Sequence, residues 1–399
     1  MSAAVPLAAR ADIDAELAER PAHPVPGMGR QIAIFALLLV CEFLYGWAWN
    51  TVDVLRPFIR ASLHLSLIEV GSAYSAQGAG ALIGAVLIGQ LADRFGRRRT
   101  FALVVLGYGT MLIAGVAVAS YPIGVGIYVN LFRPSLRGRL AGTMNAFFSF
   151  SIVALGLAMG AVSPGDWRLL FWIGGLPTFA LALMVLWLIP ARSAIDLAGQ
   201  KVAKLPIKEL FAPAVRRQTL MLATMTGLNF FGYAAYSGWL TTYLSGERGF
   251  DAATAGRLVA WQFAGNIAGG FLWGWTADRF GRRFNAIGFL IAAAAIIAYL
   301  LAPSSVILLQ LIGLIYGASL CSSVTWGPWL AELYPPHLQS TAASIFNWGR
   351  VISFFAPLIT AQIAENFGMA AAMASASLAF TIAAGLWLAQ RETLARATG

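Results

Sequence analysis

A chain of 399 residues that is 59% apolar and 11% charged is too rich in apolar surface for a water-soluble globule. Its formal charge of +10 is carried by short basic clusters between apolar runs, with no basic groove or interleaved exposed aromatics, so the expected partner is a lipid bilayer and no nucleic acid. Cys41 and Cys321 both lie inside apolar runs, which leaves no disulfide framework and no metal-ligand cluster.

Residues 1–29 are polar, carry Asp12, Asp14, Glu16 and Glu19, and become Pro-rich at 21–27; they read as a cytoplasmic tail with no cleavable leader. Apolar spans follow at 31–54, 67–90, 100–119, 140–162 and 168–189, then at 218–243, 252–275, 284–302, 305–329, 340–363 and 368–389. Each can cross a bilayer core, which takes roughly 20 helical residues. A twelfth candidate at 122–132 is short.

The spans fall into two copies of one unit. GQLADRFGRRR at 89–99 returns as GWTADRFGRRF at 274–284, with eight of eleven positions identical at an offset of 185. Asp93 to Pro134 is 41 residues, whereas Asp278 to Pro336 is 58, so the first copy is 17 residues short within its third and fourth helices. The fold class is therefore all-α membrane protein, with two six-helix bundles related by a pseudo-repeat, helix 4 of the first being truncated. Bundles are expected at 30–190 and 218–390, joined by a cytoplasmic linker at 191–217 that holds a possible amphipathic piece at Ile207 to Phe211 and followed by a tail at 391–399. With twelve crossings and the N-terminus inside, 21 Lys and Arg fall on the cytoplasmic side and five outside, so both termini are expected in the cytoplasm, at an inner (plasma) membrane.

The repeated loop has its own physics. Gly89 and Gly274 remove side chains where helices are expected to approach closely. Asp93 and Asp278 can face the positive N-terminal end of a neighbouring helix, and Arg94, Arg97, Arg279 and Arg282 stay in water around the turn glycines Gly96 and Gly281. Asp93 is expected to hold a gate against the 340–363 span and an arginine of its own loop; the alternative is a loop that only sets topology.

Charges inside spans cost several kcal/mol unless partnered or wet. Glu42 and Arg350 are the two deepest, at about 16 Å from one face. Glu42 is read as a proton site or a structural acid, and Arg350 as a contact for an anionic substrate or a gate. Asp53 and Arg56, spaced i, i+3, can pair at the interface, with Asp53 next in line for the proton. Asn229, Tyr233, Tyr236, Gln262, Gln310, Trp326 and Asn347 are the polar and aromatic candidates for a substrate cavity, all of them in the second half.

The repeated loop resembles the signature loop of major facilitator superfamily transporters. ELYPPHLQSTAASIFNWGR at 332–350 and NFFGYAAYSGWLTTYL at 229–244 resemble helices 10 to 11 and helix 7 of its metabolite:proton symporters, the sialate, lactate and aromatic-acid branch. The resemblance implies the major facilitator fold and a monomeric secondary transporter that moves a small organic anion with protons. No cofactor is implied beyond the proton gradient, and no enzyme. It also implies Glu332 as the acid kept before the turn in the second half, a gating residue and, with Asp53, next in line for the proton. Departures are Asn130 and Gln339 where the branch has an acid and an arginine, and a deletion over the family's helix 4 arginine. An exporter driven by inward proton flow, or a transport-inactive sensor, stays open on these residues.

Overall fold

The computed structural model describes residues 27–72, 97–113, 137–190, 207–326 and 349–393, with isolated positions at 75, 95, 329, 333, 334 and 345. Among them every regular element is helical: α1 Met28–Leu63, α2 Arg97–Ile113, α3 Arg137–Met159, α4 Arg168–Leu188, α5 Arg216–Tyr236, α6 Leu240–Gly246, α7 Ala252–Phe280, α8 Ala286–Leu301, α9 Val306–Leu320, α10 Arg350–Phe367 and α11 Met369–Leu388, with short 3-10 turns between. In a bilayer each peptide group must be satisfied within its own segment, and helices do this. Five described segments, Met28–Leu63, Arg168–Leu188, Arg282–Leu301, Val306–Thr325 and Met369–Leu388, are long and apolar enough to cross one.

Helix ends fall where the backbone demands it. α1 runs through Pro57 and stops at His64, which adopts the left-handed conformation and donates its N–H to the Arg60 carbonyl. Gly281 and Gly368 close α7 and α10 with positive φ of 103° and 88°, a conformation that an L side chain strains to adopt. Arg248 lies over the Tyr243 ring and donates to the carbonyls of Leu300 and Ala302, at 2.7 Å each, capping the end of α8.

Two sets of contacts fix the ends of the molecule. Arg30 donates to the Leu188 carbonyl at 3.0 Å and Arg98 to that of Ile189 at 3.2 Å, while Glu392 accepts from the N–H groups of Arg282 and Arg283 at 2.9 Å. These starts and ends therefore share one face, the near face. At the opposite, far face, Gly160 at the end of α3 packs on Ala253 at the start of α7. α3 thus begins on the near face, and α2 runs away from it until Ile113 lies against Gly175 of α4. Ile113 and Arg137, the described residues on either side, therefore lie towards opposite faces; the short pass expected at 120–132 lies outside the described residues, as do most of the second span and the linker up to 206.

Two expectations are revised among the described residues. Gly274 makes no close approach there, since no described atom lies within 4 Å of where its Cβ would stand. The tight contacts are on other glycines: Gly265 and Gly269 of α7 meet the backbone of Leu314 and Ala318 in α9. The 218–243 span is not one helix either, because it breaks over Ser237 to Trp239 between α5 and α6.

Single cysteines replacing Arg99 and Ser163 are expected to label from opposite sides of the membrane, and one at Ser135 from the same side as Arg99. Both native cysteines are buried and stay silent. Impermeant maleimide labelling checks this, and labelling of positions 99 and 135 from opposite sides would overturn the return pass. At the far face, Asp251 caps α7 by accepting from the Thr254 N–H at 3.2 Å. Hydrogen bonds from Thr254, its side chain first and then its backbone, hold the Asp251 carboxyl below the usual range. A lowered folded-state pKa contributes stability above the unfolded value, and that contribution is lost as pH falls through the folded value. Asp251→Asn should therefore lower the thermal midpoint at neutral pH, with the difference vanishing in acid.

Candidate functional site

The two bundles meet along a seam built by α1 and α3 on one side and α5, α6 and α7 on the other. Its far half is closed. Arg56, 1% exposed, donates to Asp53 Oδ1 at 2.6 Å and lies 4.3 Å over the ring of Trp239, the residue that ends the break in the seventh span. Two residues on, Thr241 donates to the Asp53 carbonyl at 2.8 Å. One turn back, Tyr233 donates to Asn50 Oδ1 at 3.0 Å. The i, i+3 pair expected at the membrane interface does form, but inside the protein and shared between bundles. The reason is that α1 continues to Leu63, nine residues beyond the expected end of the span at 54.

Beside it, α3 and α7 touch backbone to backbone. Gly156 and Gly256 face each other, and any Cβ on one would enter the peptide of the other. Closer to the middle, Ser149 donates to Asn266 Oδ1 at 2.8 Å, and Asn145 lies 4.0 Å from Cys321 Sγ. Gly71 packs on Pro357 and Ala361 of α10, adding a third crossing.

Eleven residues before Asp53, about 16 Å along α1, stands Glu42. It is 4% exposed, and its Oε1 has no hydrogen-bond partner among the described residues. On the other bundle Asn229 is 8% exposed and its Oδ1 likewise lacks a described partner. The start of α10 packs here: Gly349 lies against the Thr226–Gly227 peptide, about one turn from Asn229. The backbone of Arg350 is thereby set beside α5, while its side chain lies outside the described residues.

Other candidates sort differently. Tyr236 and Trp326 are not on the seam. Tyr236 packs between Tyr299 and Tyr316 at 5.8 and 4.4 Å, and Trp326 sits against Phe289 and Trp387 at 5.4 and 5.0 Å, both fully buried within the second bundle. Gln262 turns inward as well, donating to Ser237 at 2.9 Å, whose hydroxyl also meets Tyr316 at 3.2 Å; this polar cluster fills the break in the seventh span. Gln310 is half-buried on α9.

The repeated loop is described in its second copy. Among the described residues Asp278 meets no helix N-terminus: it is exposed and accepts from Arg282 at 2.8 Å. Glu392, absent from the sequence-level candidates, takes the N-terminal position on the 282–285 turn. Its carboxyl oxygen lies 2.5 Å from where a Gly281 Cβ would stand. Arg279 spreads over Trp275 and Phe280. Gly89, Asp93, Arg94, Gly96, Glu332, Asn347 and the Arg97 side chain lie outside the described residues. Among the described residues no cluster of His, Cys, Asp and Glu could hold a metal.

Comparison with known proteins agrees with this architecture. The Major Facilitator Superfamily family model matches residues 38–350 and again 222–398. A cis,cis-muconate transport protein of Acinetobacter baylyi is 26% identical over 340 residues, covering 77% of this chain and 81% of that one. A 3-(3-hydroxy-phenyl)propionate transporter of Escherichia coli is 25% identical over 275 residues, covering 64% and 67%. Among solved structures, a bacterial homologue of the human lysosomal transporter Spinster, inward-facing and unoccupied, superposes with a TM-score of 0.73 at 16% identity, covering 91% of this chain and 97% of that one.

Removing one partner of a buried ion pair leaves the other uncompensated, at a cost of about 3–5 kcal/mol. Arg56→Gln is expected to lose about that much stability. Adding Asp53→Asn should restore a large part of it, because the stranded charge goes with it. Thermal unfolding of the two single variants and the double variant checks the coupling; additive losses would mean that the pair is energetically idle.

Proposed function

This chain belongs to the Major Facilitator Superfamily, and from that membership we propose that it imports a small organic acid together with protons, by alternating access of one site between its bundles. It is a transporter and no enzyme. The muconate and hydroxyphenylpropionate carriers it is similar to are named for carboxylates, which supports a carboxylate cargo here. The proposal places both termini in the cytoplasm, which makes the far face the outer one and the sealed half of the seam the closed outer gate.

The observation that carries the proton assignment is Glu42. In the interior a carboxyl is normally spent on a hydrogen bond or an ion pair. Glu42 Oε1 has neither among the described residues, so it is free to take and release a proton. Asp53 is committed to Arg56, which moves it from proton carrier to gate. Arg350 carries the cargo contact, since a guanidinium keeps its charge at every physiological pH and its fork matches a carboxylate. Asn229, one turn away on α5, supplies a neutral hydrogen-bonding group, and Asn347 and Gln310 complete the polar set.

Proton and anion then load as a pair. An anion at Arg350 makes a charged Glu42 less favourable, so each ligand raises the affinity for the other by the same factor. Opening the far end exchanges the Arg56–Trp239, Thr241–Asp53 and Tyr233–Asn50 contacts for water. Asp93 serves the near end in the same way, with its own loop arginine as the partner, as Asp278 has Arg282.

Proteoliposomes loaded with a panel of carboxylates and sugars, with and without an imposed proton gradient, test the reading. Concentrative, gradient-dependent uptake of a carboxylate is the expected result. Uptake driven the other way marks an exporter, and binding without flux a sensor. Glu42→Gln should keep substrate exchange and lose proton-driven accumulation, whereas Arg350→Ala should lose binding. Gradient-driven accumulation by Glu42→Gln would put the proton elsewhere.

A further inference from the structure

On the outer surface of the first bundle, α2 and α4 leave a groove of about 630 Å³. Its walls are Leu103, Leu106, Phe179 and Leu183, of which Leu103 and Leu183 are 62% and 69% exposed. Arg98 and Arg99 line its near-face end, and among the described residues no acidic side chain lines it. From Arg98 to Leu106 is eight residues, so the apolar trough runs about 12 Å inward from the cations.

The arginines are placed with charge to spare. Arg98 gives one hydrogen bond, to the Ile189 carbonyl, and its buried Nε has no partner among the described residues. Arg99 is exposed and forms no ion pair among the described residues. Arg30 joins them from the start of α1, donating to the Leu188 carbonyl. Two guanidinium groups, of Arg30 and Arg98, thus meet the last carbonyls of α4, which offset only part of their charge, and Arg99 adds a third cation on the groove beside them.

We infer that this groove binds an anionic phospholipid of the surrounding leaflet, its phosphate at Arg98 and Arg99 and an acyl chain laid along Leu103, Leu106, Phe179 and Leu183. Ordinary lipid-facing surface would take any acyl chain. A basic pocket at the headgroup level selects among headgroups, because a zwitterionic lipid brings its own ammonium towards the guanidinium groups while an anionic one does not. The inference needs the chain only to span the membrane and is independent of what it transports.

The test is native mass spectrometry of the full chain released from micelles that contain equal mole fractions of phosphatidylglycerol and phosphatidylcholine. The expected spectrum retains the anionic lipid several-fold over the zwitterionic one, with one lipid per chain dominant. Arg99→Gln, which removes no described contact and so leaves folding intact, should reduce that preference, and Arg98→Gln/Arg99→Gln should abolish it. Leu103→Trp/Leu183→Trp, filling the trough with both arginines present, should lower retention of the anionic lipid. Equal retention of the two lipids by the unaltered chain overturns the inference, as does a preference that survives in the double arginine variant. A dimer without lipid would assign the face to a second copy and overturn it as well.

Discussion

A guanidinium cannot shed its charge, so when it is taken out of water something must stand in for its hydration shell. For Arg56 the replacements come from both bundles: a carboxylate three residues back on its own helix, and the face of Trp239 across the seam. The closed far half depends on this arrangement. Separating the bundles there exposes a cation whose aromatic cover belongs to the other bundle, and Asp53 stays with it, tethered on α1. Both closed and open arrangements can therefore keep the ion pair, and of the two groups that cover Arg56 only the aromatic face is exchanged for water. A contact of that kind is strong enough to hold a conformation and weak enough to leave it.

The break over Ser237 to Trp239 explains why the aromatic face is available. A continuous helix would carry Trp239 round the axis in register with Tyr236, which packs inside the second bundle. Turn bonds from the N–H groups of Gly238, Trp239 and Leu240 to the carbonyls of Tyr233, Tyr236 and Ser237 satisfy the backbone through the break, and the side-chain cluster of Ser237, Gln262 and Tyr316 packs beside it within the protein.

Much of this was legible in the sequence. The internal repeat gave the two bundles, and the apolar runs located the elements closely: 168–189 became Arg168–Leu188, and 368–389 became Met369–Leu388. What periodicity could not see was where apolar character continues through a change of backbone, as at the 237–239 break and at the 3-10 turn Cys321–Thr325. Nor could it separate a bundle core from a cavity wall, because both are aromatic and small-residue-rich in a membrane; Tyr236 and Trp326, cavity candidates by residue type, pack inside the second bundle. Asp53 and Arg56 were recognised as a pair and misplaced, since the first span ends before the helix does. Glu392 escaped notice altogether: an acid in a polar tail has no pattern, and the signal was its distance just past the last span, within reach of a turn that needed a cap.

The contact between Gly156 and Gly256 bears on how such a molecule moves. Interfaces made of interdigitated side chains have discrete fits, and passing from one to the next means every rotamer on the seam must let go and find a new well. Two bare peptide surfaces have no rotamers to reset. Such a contact would resist rolling of one bundle over the other less than interdigitated side chains do, leaving the latch at Arg56 and Trp239 to set where the rolling stops.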